Sequence, residues 1–256
     1  MSSLSVNGKT VLNDVKLIIF DKDGTLVDVH HYWTLMIRIR ASEIANKWFN
    51  GENRANFETG LMDLMGLDLE TNKLKPKGPV GVKSRAYIVS IVKDYICKHT
   101  QVVSNNDVEL LFKDVDMITE KNLSTFLKIL PGVRQLLEKI GQLDIKVVIT
   151  SNDITSRAIK AMDILGLKSY FSEIIGGESV KNTKPATDLA QLALSKIGCH
   201  PDNAVVIGDH PVDILMGIGA DINTNIGVLN GISMKENFSQ YDCILVESLN
   251  DIDVRE

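Results

Sequence analysis

The sequence predicts an α/β protein, a parallel sheet with helices on both faces, interrupted once by a long helical insert. Three observations predict it. Short runs rich in β-branched and other apolar residues alternate with segments of helical periodicity through the second half of the chain, the pattern of strands buried on both faces. The first such run is separated from the second by about a hundred residues whose apolar spacing is mostly helical. The runs end in polar or Gly-containing turns that carry carboxylates, hydroxyls or a lysine, and ligands on a parallel sheet collect at the carboxyl ends of its strands.

Taken in order, the first strand is 16–20 (KLIIF), and LIIFDKDGTLVD places Asp21 and Asp23 directly after it. Residues 31–50, 57–65, 84–99 and 107–126 read as the helices of the insert, with a Gly/Pro/Lys-rich loop, LDLETNKLKPKGPVG, between the second and third. A structureless loop of such length is implausible, so residues 30–128 form a separate helical domain and residues 1–29 and 129–256 the core. The core resumes with a helix at 131–140, opened by Pro131. There follow a strand at 146–150, a helix at 154–165, a strand at 173–175 and a helix at 187–197. A strand at 204–207, a helix at 211–218 and a last strand at 243–246 complete it.

Composition excludes several classes. At 256 residues, 44% hydrophobic and 24% charged, the chain has the make-up of a soluble globular protein large enough for a core and a smaller insert. A net charge of −5 argues against a broad nucleic-acid surface. Cys97, Cys199 and Cys243 are scattered, odd in number and form no CxxC pair. They read as buried thiols of a reducing, cytoplasmic compartment and form neither a disulfide frame nor a zinc site. No run approaches the ~20 apolar residues of a membrane helix, and MSSLSVNGKT lacks the pattern of a signal peptide.

Burying one carboxylate beside an apolar strand is costly, and two are worse. The other strand ends suggest what compensates. Ser151 and Asn152 follow the second strand, Lys184 lies beyond the third, and Asp209 and Asp213 follow the fourth. Several carboxylates around one point call for a cation, and oxygen-rich sites suit Mg²⁺. A lysine and a hydroxyl beside that cation suit a phosphate. One carboxylate can attack phosphorus, and a second can protonate the leaving oxygen and later activate water.

The motifs FDKDGTLVD (20–28), TSN (150–152), KPATD (184–188) and GDHPVD (208–213), in this order, resemble those of the haloacid dehalogenase-like (HAD) hydrolase superfamily. The insert looks like its C1-type helical cap, and PGVRQLLEKI is similar to the phosphoglycolate phosphatase-like branch. The resemblance implies a Rossmann-like core, an inserted cap that selects the substrate, and Mg²⁺-dependent hydrolysis of a small phosphorylated metabolite through an aspartyl-phosphate. Carried over by position, it implies Asp21 as nucleophile and metal ligand, and Asp23 as general acid/base with its backbone carbonyl on the metal. Ser151 and the Asn152 N–H would hold the phosphoryl group, and Lys184 would neutralise it. Asp209 would bind Mg²⁺ directly, and Asp213 through water or by orienting its neighbours. Gly24 and Thr25 would shape the loop that lets backbone amides approach phosphate.

Plainer readings stand beside these. Ser151 also suits a helix cap. Lys181 competes with Lys184, and the adjacent KPATD favours Lys184. Asp153 reads as solvated, His30 and His31 as solvent-facing or as part of cap closure, and Trp33 and Trp48 as core of the insert. Lys73, Lys75, Lys77, Lys83 and Arg85 form a basic stretch without an acid among them. It reads as a solvated loop, or as one in which Lys83 or Arg85 reaches an anionic substrate. Asp23 argues against a metal-free dehalogenase. Trp33, where similar mutases carry a hinge histidine, argues against a mutase, and a phosphotransferase of the same fold stands as an alternative. Retention of Asp21, Asp23, Lys184 and Asp209 argues against a catalytically weak binding protein. Phosphoglycolate, a sugar phosphate and a nucleoside monophosphate all remain open as substrates.

Overall fold

The computed structural model describes residues 1–80 and 83–256 of the chain. It divides into two compact units: Met1–Asp28 with Leu127–Glu256, and Val29–Phe126. The insert thus starts one residue and ends two residues before the bounds read from sequence. The first insert helix begins at Val29, whereas the Asp28 N–H donates to the Lys128 carbonyl at 2.8 Å, which ties the two chain crossings to the core.

In chain order the strands are β1 Ser3–Val6, β2 Lys9–Leu12, β3 Leu17–Phe20, β4 Leu67–Asp68, β5 Lys73–Leu74, β6 Lys146–Thr150, β7 Glu173–Ile175, β8 Ala204–Gly208, β9 Thr224–Val228, β10 Ile244–Val246 and β11 Ile252–Arg255. The helices are α1 Val29–Trp48, α2 Arg54–Met65, α3 Arg85–His99, α4 Asn105–Lys121, α5 Leu123–Phe126, α6 Val133–Ile140, α7 Thr155–Ile164, α8 Asp188–Ile197 and α9 Pro211–Gly219.

In the core unit, six strands form one parallel sheet in the order β10-β9-β8-β3-β6-β7. Counted along the chain from β3, this is the doubly wound order of Rossmann-like sheets, and its switch point lies between β3 and β8. Side chains on a strand alternate between faces, and β3 shows both faces buried. Ile18 and Phe20 join the cluster with Val147, Ile149, Val205 and Ile207 under α6 and α7. Leu17 and Ile19 join Val148 and Val206 under α8 and α9. All four β3 residues are fully buried. At about 1.5–3 kcal/mol for each such side chain, that burial opposes the several kcal/mol needed to hold a carboxylate at the strand's end.

The structure adds strands to the sequence reading. The first face also carries a three-stranded antiparallel sheet, β11-β1-β2. Its hairpin turns at Asn7 and Gly8, both at positive φ, as a type I′ turn requires. β9 escapes the apolar-run criterion because Asn225 and Gly227 interrupt it. Asn225 is buried; its amide donates to the Ile222 carbonyl at 2.7 Å, while its Oδ1 finds no hydrogen-bond partner among the described residues.

In the insert unit, α1 packs on α2 and α4, and α3 packs on α2 and α4. The expected loop is partly ordered as a hairpin, with β4 antiparallel to β5; its last position, 81, lies outside the described residues. The His30 Nδ1 accepts the Leu74 N–H at 3.1 Å, and the His31 Nε2 lies 3.0 Å from the Thr125 carbonyl. Both histidines, partly buried, therefore make bonds within the insert, and that of His31 lies at its surface. The helix expected over 107–126 breaks at Asn122, whose N–H and side-chain amide bond back to Ile118. Trp48 is buried, and Trp33 is half-buried with the Arg40 guanidinium 5.9 Å from its ring centroid.

Candidate active site

Both central strands end in carboxylates. β3 delivers Asp21, whose N–H donates to the Ile207 carbonyl of β8 at 2.8 Å, and Asp209 follows β8 directly. Asp213 lies in the first turn of α9, where its carboxylate accepts the His210 N–H at 3.1 Å. Carboxylate oxygens of Asp21, Asp209 and Asp213 lie within 4.8 Å of one another. Lys184 comes from the loop beyond β7. Its ammonium is 2.6 Å from Asp21 Oδ1 and 2.7 Å from Asp213 Oδ1, and it donates to the Thr150 carbonyl at 2.8 Å. Lys181 is exposed, so the structure brings Lys184 and not its neighbour to the carboxylates.

The charges are unbalanced. Three carboxylates face one lysine, and Lys184, Asp209 and Asp213 are buried. Burial pushes the Asp209 carboxyl well above the usual range, and Asp21 and Asp213 add to the shift. Burial also raises Asp21, against the opposing pull of Lys184. Burial alone would lower Lys184, but Asp21 and Asp213 outweigh it and hold the ammonium charged. A set of oxygen donors with excess negative charge fits a hard divalent cation. Asp209 makes the weakest protein contact, accepting the Ile232 N–H at 3.4 Å, and so is best placed to spend its charge on such an ion. Both Asp213 oxygens are engaged by Lys184 and His210, an arrangement suited to orienting its neighbours.

Backbone geometry forms the cradle. Gly24 has φ +90°, and a Cβ at Gly24 or Gly231 would overlap the Asp209 carboxylate. Only glycine gives the chain both that conformation and that approach. The turn is closed by the Leu26 and Val27 N–H groups on the Lys22 carbonyl, at 3.0 and 2.9 Å. Thr25 is fully buried in it.

At β6, Ser151 accepts the Asp153 N–H at 3.1 Å, and α7 begins with Ile154 as its N-cap. Ser151 therefore closes a local turn and is not the helix cap. Asn152 has a further role that its position in TSN did not signal. Its Oδ1 accepts the Lys184 N–H at 2.9 Å and its Nδ2 donates to the Lys184 carbonyl at 3.3 Å, which clamps the lysine's backbone to β6. The Lys184–Pro185 peptide is cis.

Asp23 does not join the three-carboxylate cluster. Its half-exposed carboxylate is held by Lys22, a residue the sequence reading passed over, with Nζ 2.9 Å from Oδ1 and 2.8 Å from Oδ2. Burial of the surrounding crevice raises the Asp23 carboxyl while Lys22 lowers it. A lysine between two aspartates after an apolar strand was the available signal. Asp153 accepts the Ile154 N–H at 2.8 Å and Arg157 at 3.3 Å, so it is anchored and not simply solvated.

In the insert unit, Arg85 pairs with Glu109 at 3.0 Å and with Asp116, and Lys75 pairs with Asp63. Lys83 is exposed. Acids distant in sequence thus answer two of the five charges of the basic stretch.

Carboxylates and a lysine gathered at the switch point of a doubly wound sheet define the class, an α/β enzyme working at the carboxyl ends of its strands. The family model for haloacid dehalogenase-like hydrolases matches residues 15–221, and the chain belongs to that family. It is 22% identical over 228 residues to a phosphoglycolate phosphatase of Aquifex aeolicus, covering 89% of this chain and 91% of that protein. It is 34% identical to the pyrophosphatase PpaX of Bacillus pumilus, but over only 36% of this chain and 43% of that one. In fold it is similar to a HAD-superfamily hydrolase of subfamily IA from Geobacter sulfurreducens, with a TM-score of 0.65, 18% identity and coverage of 96% and 97% of the two chains.

Proposed function

We propose that this protein is a phosphatase of small phosphorylated metabolites that works through an aspartyl-phosphate on Asp21. The observation that carries the reading is the position of Asp21. One of its oxygens is engaged by Lys184 at 2.6 Å, and the carboxylates of Asp209 and Asp213 stand beside it. The likeness to a phosphoglycolate phosphatase along most of both chains supports it.

In the first step, Asp21 attacks phosphorus, the bond from phosphorus to the leaving oxygen breaks, and Asp23 gives that oxygen its proton. In the second, water loses a proton to Asp23 and attacks the phosphoryl group, releasing inorganic phosphate and restoring Asp21. Ser151 and the Asn152 N–H receive the phosphoryl oxygens, and Lys184 balances the charge they bring. Asp21 and Asp209, with the Asp23 carbonyl, would hold Mg²⁺, and Asp213 would reach it through water or orient its neighbours; the ion would supply charge neutralisation for the carboxylates and the transferring group. The insert, with Lys83 exposed on it, is assigned to selecting the substrate.

Asp21→Asn tests the reading, because the amide is nearly isosteric but a poor nucleophile. The variant is expected to fold with unchanged thermal stability or better and to hydrolyse neither p-nitrophenyl phosphate nor any phosphometabolite of a screening panel. Turnover near the wild-type rate refutes the covalent route.

A further inference from the structure

Lys22 is 6% exposed overall, an unusual place for a lysine. Its ammonium grips both oxygens of Asp23, at 2.9 and 2.8 Å. A second carboxylate, Asp153 Oδ2, lies 3.9 Å from the same Nζ. Asp153 is fixed from elsewhere: its Oδ1 accepts Ile154 N–H at 2.8 Å and Arg157 at 3.3 Å, and its carbonyl accepts the Gly177 N–H at 2.9 Å. Its second oxygen is thus presented to Lys22 by a rigid loop. Under the reading of Asp23 as general acid and base, on which this inference rests, an Asp23 carboxylate held through both oxygens cannot turn to a leaving oxygen. One contact must open, and a buried ammonium left without a partner is costly.

We propose that Lys22 is a positioning residue: it holds the Asp23 carboxylate at rest and transfers its contact to Asp153 when Asp23 turns to the leaving oxygen. The transfer needs a side-chain movement of the order of 1 Å, well within rotamer adjustment of a lysine. It keeps the ammonium paired throughout and so frees Asp23 at little cost. The Lys22 backbone also bonds the Asp21 carboxylate, a contact that Lys22→Met and Lys22→Arg keep, so the side-chain variants read the ammonium's hold on Asp23.

The test uses the full chain with Mg²⁺, an alkyl phosphate and p-nitrophenyl phosphate, and the variants Lys22→Met, Lys22→Arg, Asp153→Asn and Asp23→Asn. Lys22→Met is expected to lower kcat for the alkyl phosphate by at least about tenfold, part of the ~10²–10⁴ that general acid–base catalysis contributes. KM stays unchanged, and p-nitrophenyl phosphate, whose leaving group needs little protonation, is affected far less. Lys22→Arg recovers part of the loss, and Asp153→Asn shows the same substrate contrast at smaller size. In the Asp23→Asn background, Lys22→Met costs nothing further, since residues acting through one another are not additive. Equal loss on both substrates, or full additivity with Asp23→Asn, overturns the proposal. A thermal-unfolding double-mutant cycle on Lys22 and Asp23 reads the pair without turnover. Coupling supports the contact even if the wild type hydrolyses neither phosphate, a result that would refute the phosphatase reading alone; absence of coupling overturns the contact itself.

Discussion

Asp209→Asn should make the metal-free protein more stable while abolishing its response to Mg²⁺. Asp209 is 6% exposed and shares its crevice with Asp21 and Asp213. Two carboxylate charges within 4.8 Å of one another repel by at least about 3 kcal/mol at an effective dielectric constant near 20. Lys184 neutralises one of the three charges, and uptake of a proton by Asp209 limits what remains. The net relief on replacing it by a neutral amide is therefore roughly 1–3 kcal/mol. At about 2–4 °C per kcal/mol for a chain of this size, Tm in a chelator should rise by roughly 2–12 °C. The amide oxygen can still accept the Ile232 N–H, so the gain is not offset by a lost contact. Wild type at a hundredfold excess of Mg²⁺ over its Kd should gain about 2.7 kcal/mol by linkage, and Asp209→Asn should gain almost none. Differential scanning fluorimetry in chelator and across a Mg²⁺ titration measures both arms. A variant that melts below wild type in chelator, or that keeps the Mg²⁺ shift, refutes the reasoning that Asp209 is a repelled carboxylate awaiting a cation.

Gly24→Ala should destabilise the core by about 2 kcal/mol or more and remove turnover, because φ +90° is strained for alanine and the new methyl overlaps Asp209; urea denaturation with a turnover assay checks both. Arg85→Ala should lower stability by about 1 kcal/mol, since Glu109 and Asp116 are partly exposed and Asp116 keeps its Arg40 contact at 3.2 Å. It should leave p-nitrophenyl phosphate hydrolysis unchanged, and a tenfold loss on that substrate would contradict a role confined to the insert.

Much of this protein is readable from its chain because two local codes are strong. Apolar runs short enough to be strands, each closed by a turn, mark β3, β6, β7, β8 and β10, and helical periodicity marks α6 to α9. The motif residues follow those strands directly, so a parallel sheet brings Asp21, Ser151, Asp209 and the loop of Lys184 to one edge by geometry alone. The Asn-Gly pair between β1 and β2 carries a hairpin signal that the sequence reading passed over; both residues stand at positive φ. Pairing of β11 with β1 was not, because Ser3 meets Arg255 across nearly the whole chain and no local pattern encodes such a partner. Tertiary structure alone decided the partners of charge. The KPATD pattern already favoured Lys184 over Lys181, but what aims it, the Asn152 clamp on its backbone, appears only in the fold. Arg85 belongs to a basic run until folding sets α4 beside α3 and supplies Glu109 and Asp116. Lys22 looks like an exposed loop lysine until the turn at Gly24 folds it under, between Asp23 and Asp153. Hydrophobic periodicity is written in neighbours along the chain, whereas the partner of a charge is whatever the fold places within a few ångströms of it.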